Sequence, residues 1–112
     1  YSAVVGGYFN KADGIYSTVT GGAVNTASGW TPSISGGYGN MASGEYSSIS
    51  GGRENKASGT HSSVLGGRVN DAQGEGAVVM GGVKNKAIGD RATVVGGKKN
   101  RARGASSVVT GA

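Results

Sequence analysis

A strict repeat of fifteen residues runs through the whole sequence, and it constrains the fold more than any other feature. Within each unit a glycine pair is followed at fixed distances by Asn, Ala and a third Gly, and a Val or Ile completes the pattern. The repeat has no insertion or deletion, which indicates a stack of nearly identical coils. The glycine pairs begin at Gly6, Gly21, Gly36, Gly51, Gly66, Gly81 and Gly96, and the same register reaches Gly111.

The composition argues against an ordinary globular core. Glycine supplies 24 of the 112 residues, about three times its usual share of roughly 7%, and only 36% of residues are apolar. Helical coils are disfavoured as well, because three glycines per coil would cost a helix about 1 kcal/mol each. The sequence therefore predicts an all-β parallel solenoid of fifteen-residue coils, a single repeat array over residues 1–112 with about 7.5 coils. We expect it to be part of a longer fibrous protein.

Each coil is expected to contain two short strands joined by two tight glycine turns, with side chains alternating inward and outward. In the first strand, Ser17 and Val19 should point inward. The second strand is expected to begin near Phe9, with Asn10 and Ala12 inward. These interior columns are small, which predicts a thin roll. Stacked Asn side chains are predicted to form an amide ladder. Its members are Asn10, Asn25, Asn40, Asn55, Asn70, Asn85 and Asn100.

The outward columns of the first strand carry no charged residue and become apolar along the chain. Such a face suits another copy of the chain better than water, so it is predicted to face the axis of an oligomer. The alternative is an exposed Ser/Thr-rich sheet on a monomer. A remote alternative is an ice-binding face, which the pairs Thr18/Thr20 and Ser33/Ser35 resemble until Leu65 interrupts the pattern. The residues predicted to face the axis are Leu65, Val78, Met80, Val95 and Val108.

The unit G-G-x-x-N-x-A-S-G-x-Y-S-S-(V/I)-S-G-G at Gly36–Gly52 resembles the head repeats of trimeric autotransporter adhesins, the haemagglutinin-like repeats of YadA-type proteins. The resemblance covers the whole chain. It implies a left-handed parallel β-roll, an obligate homotrimer, display on a bacterial outer surface, and binding to host matrix protein, cells or glycans. It also implies that a stalk and a membrane anchor lie outside these residues.

The collagen-binding N-S-V-A-I-G-like segment of such heads has only loose echoes here, at Ser17–Gly21 and Ser62–Gly66. Similar repeats occur in the shafts of phage tail fibres. A shaft segment of a phage tail fibre or another extracellular fibre, part of a virion in the phage case, is therefore the main alternative function.

The net charge of +5 lies entirely in the second half of the chain. In the predicted register Lys84 stacks on Lys99 and Lys86 on Arg101, which forms a basic patch suited to sulfated glycans, lipopolysaccharide phosphates or other polyanions. The alternative is a solvated surface that resists aggregation. Nucleic acid is not expected as a partner, because aromatic platforms and a groove-reading element are missing. The candidate polyanion-binding residues are Lys84, Lys86, Lys98, Lys99, Arg101 and Arg103.

No arrangement suited to catalysis is expected. His61 is the sole histidine and the chain has no cysteine, so the sequence does not offer a set of His and Cys ligands for a metal ion. No acid shares the column of His61, and the glycine pairs lack the Lys-Ser/Thr that a phosphate-binding loop needs. We therefore predict a protein that is not an enzyme and uses no cofactor or metal.

Two smaller features are open to two interpretations each. Tyr1, Tyr16 and Tyr46 share one column, which favours packing at a corner over an aromatic ladder for ligand stacking. Trp30 and Pro32 mark one irregular coil. Because proline has no N–H, Pro32 would cost a ladder hydrogen bond unless it stands at the start of a strand.

Overall fold

A computed structural model describes residues 1–111, and it is a parallel β-solenoid with fifteen residues per turn. Two-residue strands form an eight-stranded sheet, sheet 1, and a seven-stranded sheet, sheet 2. The predicted all-β solenoid of fifteen-residue coils is confirmed. Sheet 1 contains β1 (Ala3–Val4), β3 (Thr18–Val19), β5 (Ser33–Ile34), β7 (Ser48–Ile49), β9 (Ser63–Val64), β11 (Val78–Val79), β13 (Thr93–Val94) and β15 (Val108–Val109). Sheet 2 contains β2 (Lys11–Ala12), β4 (Thr26–Ala27), β6 (Met41–Ala42), β8 (Lys56–Ala57), β10 (Asp71–Ala72), β12 (Lys86–Ala87) and β14 (Arg101–Ala102).

The solenoid is thin, as its small interior residues predict. Its Cα atoms span 35 × 22 × 11 Å, and the shortest dimension matches the roughly 10 Å that separates two sheets packed face to face. The Val/Ile column of sheet 1 packs against the Ala column of sheet 2, and both are fully buried through the middle coils. One layer of side chains from each sheet therefore fills the interior.

The turns differ from the expectation of two glycine corners per coil. A third column of parallel bridges runs between the sheets, through pairs such as Tyr38↔Arg53 and Arg53↔Arg68. Two further positions in each coil adopt left-handed backbone conformation, although most of the residues there are not glycine. Phe9 (φ 53°) and Tyr16 (φ 56°) are the first residues of these two columns. The second strand consequently begins at Lys11, after the left-handed residue, and not at Phe9.

The three glycine columns have different roles. Gly52 has a left-handed φ of 92°, and a Cβ there would collide with the carbonyl of Gly67 and the amide of Asn55. Gly59 is needed for close stacking, because a Cβ would meet the carbonyl oxygen of Gly74 in the next coil. Gly51, by contrast, has a φ outside the left-handed range, and a Cβ there would meet no heavy atom within 4 Å.

Pro32 is buried immediately before β5, at the strand start that the sequence allowed. At the equivalent place in the next coil, the N–H of Ser47 donates to the carbonyl of Gly44 at 3.2 Å, which closes a turn within one coil. Pro32 therefore omits a turn hydrogen bond and leaves the ladder between coils complete. Its own carbonyl still accepts from the N–H of Thr18 at 3.1 Å.

Candidate functional site

The Asn column holds neighbouring coils together through backbone groups. The side-chain N–H of Asn55 donates to the carbonyl of Gly51 at 3.1 Å in its own coil and to that of Gly67 at 3.0 Å in the next. Its side-chain oxygen accepts from the backbone N–H of Asn70 at 2.9 Å. The same pattern recurs from coil to coil, with the column fully buried from Asn25 to Asn85.

This bonding differs from the predicted amide-to-amide ladder. Within the described residues, one hydrogen bond joins two Asn side chains, from Asn25 Nδ2 to Asn10 Oδ1 at 3.2 Å. At Asn25 the carbonyls of Gly21 and Gly37 each accept from the amide at 3.1 Å, slightly closer than the Asn10 oxygen, so the main partners of the side-chain amide are the carbonyls of the glycine turns. The column is thus a set of clamps on the glycine turns, and it positions the two outward faces.

The outer face of sheet 1 carries the residues predicted to face an oligomer axis. Leu65 is 48%, Met80 47% and Val95 42% exposed, although each is a large apolar side chain. Val78 is half-buried in the neighbouring column, and Val108 is exposed on the last strand. The structure thus brings Leu65, Met80 and Val95 into one apolar stripe, since they occupy the same position in successive coils.

The first glycine of each Gly-Gly pair directly follows a residue of the column that contains this stripe. We call these glycines the open glycine column. All of its members share the property described for Gly51, with no heavy atom within 4 Å of a Cβ built on them. They are Gly6, Gly21, Gly36, Gly51, Gly66, Gly81 and Gly96. Nothing in the sequence distinguishes this column from the glycine beside it. Only the structure shows that the two glycines of each Gly-Gly pair have contrasting surroundings.

A basic depression of about 500 Å³ lies on the outer side of sheet 2. It is lined by Val69, Lys84, Lys86, Lys99 and Arg101. Two of the six predicted patch residues do not line it. Lys98 belongs to the bridged column on the far side of the left-handed turn residue, and Arg103 follows β14 beyond the depression. Val69 was not predicted from the sequence, because an apolar residue in a charged column carries no signal of its own.

An exposed row of rings lies along one corner of the solenoid. Trp30 stacks on Tyr46 with centroids 6.4 Å apart, and Tyr46 stacks on His61 at 5.0 Å with an interplanar angle of 8°. His61 also shares a depression with Glu75 and Asp90. Glu75 and Asp90 were not predicted to lie near His61, because they belong to the column that precedes the His61 column around the turn.

Within residues 1–111, no group of three or more His, Cys, Asp or Glu side chains could hold a metal ion. The one ion pair in the same range joins Lys11 and Asp13 at 3.1 Å. None of the described residues forms a helix with the length and apolarity that a membrane span requires.

No protein-family model matches the sequence, and no curated protein matches it.

Proposed function

We propose that this chain is a structural and adhesive head segment of a trimeric bacterial surface adhesin. Three copies pack through sheet 1, and the remaining outward faces present a binding surface to host matrix protein, cells or glycans. The observation that carries the proposal is the pairing of an uncharged, apolar sheet face with a glycine column that has no steric purpose inside one chain.

The open glycine column argues for a partner at close range. Where the backbone φ lies in the ordinary range, as at Gly51, glycine gains nothing over alanine and loses more backbone freedom on folding, a cost of roughly 0.5–1 kcal/mol within regular structure. Within its own chain, no neighbouring atom requires glycine at position 51, because a Cβ there would meet no heavy atom within 4 Å. The same is true of the equivalent glycine in seven consecutive coils. A second copy whose backbone approaches this column would explain why no side chain stands there.

The apolar stripe supports the same arrangement. Leu65, Met80 and Val95 leave nearly half of their surface in water, next to columns without an ionisable group. A solenoid with one thin layer of core gains stability from burying such a face against its neighbours. Cyclic packing of three identical chains achieves this without a second protein.

The adhesive role draws on the resemblance of the repeats to YadA-type heads, which extends over all coils. In such an assembly three left-handed rolls stand side by side, and the outer surface of the bacterium displays them. A fibre shaft is the second candidate, favoured by the uniformity of coils that pair at a constant register from β1 to β15. A membrane anchor encoded in the same gene would decide for the adhesin, and a phage structural context for the shaft.

Sedimentation velocity on the wild-type chain tests the assembly. We expect a species of three times the 10.9 kDa chain mass. Gly51→Ala should weaken or abolish the assembly while the circular dichroism spectrum stays that of the wild type. Ser58→Ala, which removes an exposed side chain on the opposite sheet, is the matched control and should remain trimeric. A stable folded wild-type monomer at micromolar concentration would refute self-association.

Binding of the assembled chain to immobilised matrix proteins, glycans and host cells tests the adhesive role separately. A trimer that binds none of them favours the fibre shaft. A trimer that binds at least one, at a site removed by substitutions on its outer faces, supports the adhesin.

A further inference from the structure

Four cations converge on the basic depression from two successive coils. Lys86 and Arg101 are direct partners in the register of β12 and β14. Lys84 and Lys99 occupy the left-handed turn position of the same two coils, each with φ of 57°. The cluster is therefore held on backbone that the hydrogen bonds of the coils define, and not on a free loop.

This arrangement works against the stability of the isolated chain. Like charges placed directly opposite each other on neighbouring strands repel, and Lys86 with Arg101 is such a pair. Within residues 1–111, none of the four cations forms an ion pair. A surface selected only for solubility would be expected to alternate the two signs of charge along the stack.

One carboxylate borders the depression without neutralising it. Asp71 is the register partner of Lys86 on the other side, in β10. Its Oδ2 accepts a hydrogen bond from the side-chain N–H of Gln73 at 2.7 Å, and no ion pair joins it to Lys86. The depression thus retains a surplus of positive charge that an external anion can satisfy.

The shape and lining favour a chain-like ligand. Two coils contribute cations one strand spacing apart, roughly 4.7–4.9 Å, and Val69 extends the lining of the depression into a third coil along the solenoid axis. Val69 and the aliphatic stems of Lys84 and Lys99 supply apolar surface for the C–H faces of sugar rings. None of the described residues that line the depression is aromatic, and single-stranded nucleic acids need aromatic rings for stacking of their bases.

We infer that the basic depression binds a sulfated polysaccharide chain lying along the solenoid axis. Three of the four cations are lysines, which act as compact point charges. Such charges attract sulfate and phosphate groups alike, and the apolar lining of the depression favours a sugar polymer over a bare polyanion. The inference deepens the proposed function by naming a ligand class, and it rests on that function for its biological setting.

Titration of the wild-type chain, in its native assembly, with a heparin oligosaccharide at roughly 0.15 M ionic strength tests the inference. A site variant converts the four cations to Gln and should bind about tenfold to a hundredfold more weakly, given the usual strength of exposed charge pairs. A control variant removes the same number of positive charges outside the depression and should bind within about threefold of the wild type. The control substitutions are K11Q, R53Q, R68Q and R91Q.

Three comparisons decide the outcome. Lys99→Arg should retain binding and Lys99→Gln should weaken it, which keeps the test valid even if the fourfold site variant folds poorly. Equal losses in the site and control variants would overturn the inference in favour of a diffuse positive field. Hyaluronan, which has no sulfate, or inorganic polyphosphate binding as tightly as heparin would also overturn it.

Failure of this inference is distinguishable from failure of the proposed function. Absence of heparin binding by a chain that still sediments as a trimer refutes the sulfated-glycan site and leaves the head assembly in place. A monomer that binds heparin through the depression refutes the assembly and leaves the site in place.

Discussion

Replacing one buried asparagine should destabilise the solenoid far more than replacing the residue beside it. In Asn55→Leu, the backbone N–H of Asn70 loses its acceptor, and the carbonyl of Gly51 loses the donor given by Asn55. The carbonyl of Gly67 is less affected, because it also accepts from the N–H of Arg53 at 2.9 Å.

The expected magnitude follows from the groups left without partners. A buried donor or acceptor that loses its partner costs about 1–3 kcal/mol. The N–H of Asn70 is fully buried and should cost the larger share, while Gly51 is half-buried and its carbonyl should cost less. We expect Asn55→Leu to lower the free energy of unfolding by about 2–4 kcal/mol, which corresponds to roughly 8–16 °C in melting temperature for a chain of this size.

Lys56→Leu is the matched control, since Lys56 is exposed in the adjacent, outward position. It should change the free energy of unfolding by no more than about 0.5 kcal/mol. Asn10→Leu should fall between the two, because Asn10 is only half-buried and water can reach its partners. Urea unfolding followed by circular dichroism, at one fixed protein concentration, measures all three. Equal unfolding midpoints for Asn55→Leu and Lys56→Leu would refute the clamp role of the Asn column.

Three further outcomes are expected. Gly52→Ala should destabilise the fold by roughly 2 kcal/mol or more, because alanine is strained at φ 92° and its Cβ meets the carbonyl of Gly67; an unchanged urea midpoint would contradict this. Leu65→Lys should leave the circular dichroism spectrum intact and abolish the trimer in sedimentation, and a persisting trimer would place the interface elsewhere. Ile49→Val, in the fully buried core column, should cost about 0.5–1.5 kcal/mol in urea unfolding, and a cost near zero would indicate a loosely packed core.

Much of the fold could be predicted because the sequence repeat and the offset between paired residues of stacked coils are both fifteen residues. When coils of fifteen residues stack in parallel, each residue lies on its equivalent, as Val64 lies on Val79. Periodicity in the sequence then translates directly into columns in space. The inward direction of Val64 and Ala57 followed from alternation along each strand, and both are fully buried.

The turns could not be predicted in the same way. Left-handed backbone conformation usually selects glycine or asparagine, yet Val24 and Val69 adopt it here with φ of 56° and 57°. Hydrogen bonds with neighbouring coils hold these residues in place; the N–H of Val69 donates to the carbonyl of Arg53 at 3.0 Å. A local sequence signal for this conformation is absent because the constraint comes from the stack.

The candidate sites show the same division. Lys84, Lys86, Lys99 and Arg101 could be grouped from the register alone, since they repeat at the period of the coil. Their separation from Lys98 and Arg103, and the inclusion of Val69, depend on where the chain turns. The proximity of Glu75 and Asp90 to His61 was not predicted for the same reason, because a turn brings neighbouring columns together.

The sequence by itself determined the solenoid, its coil length, its interior columns and the uncharged character of one face, because these depend only on period and alternation. The tertiary structure alone decided what each glycine and asparagine does. Gly51 and Gly52 are identical and adjacent in sequence, yet an added Cβ would meet no heavy atom at Gly51 and would collide with Gly67 and Asn55 at Gly52. The difference arises from the path of the backbone through the turn and from the coil stacked beside it, which no residue encodes on its own.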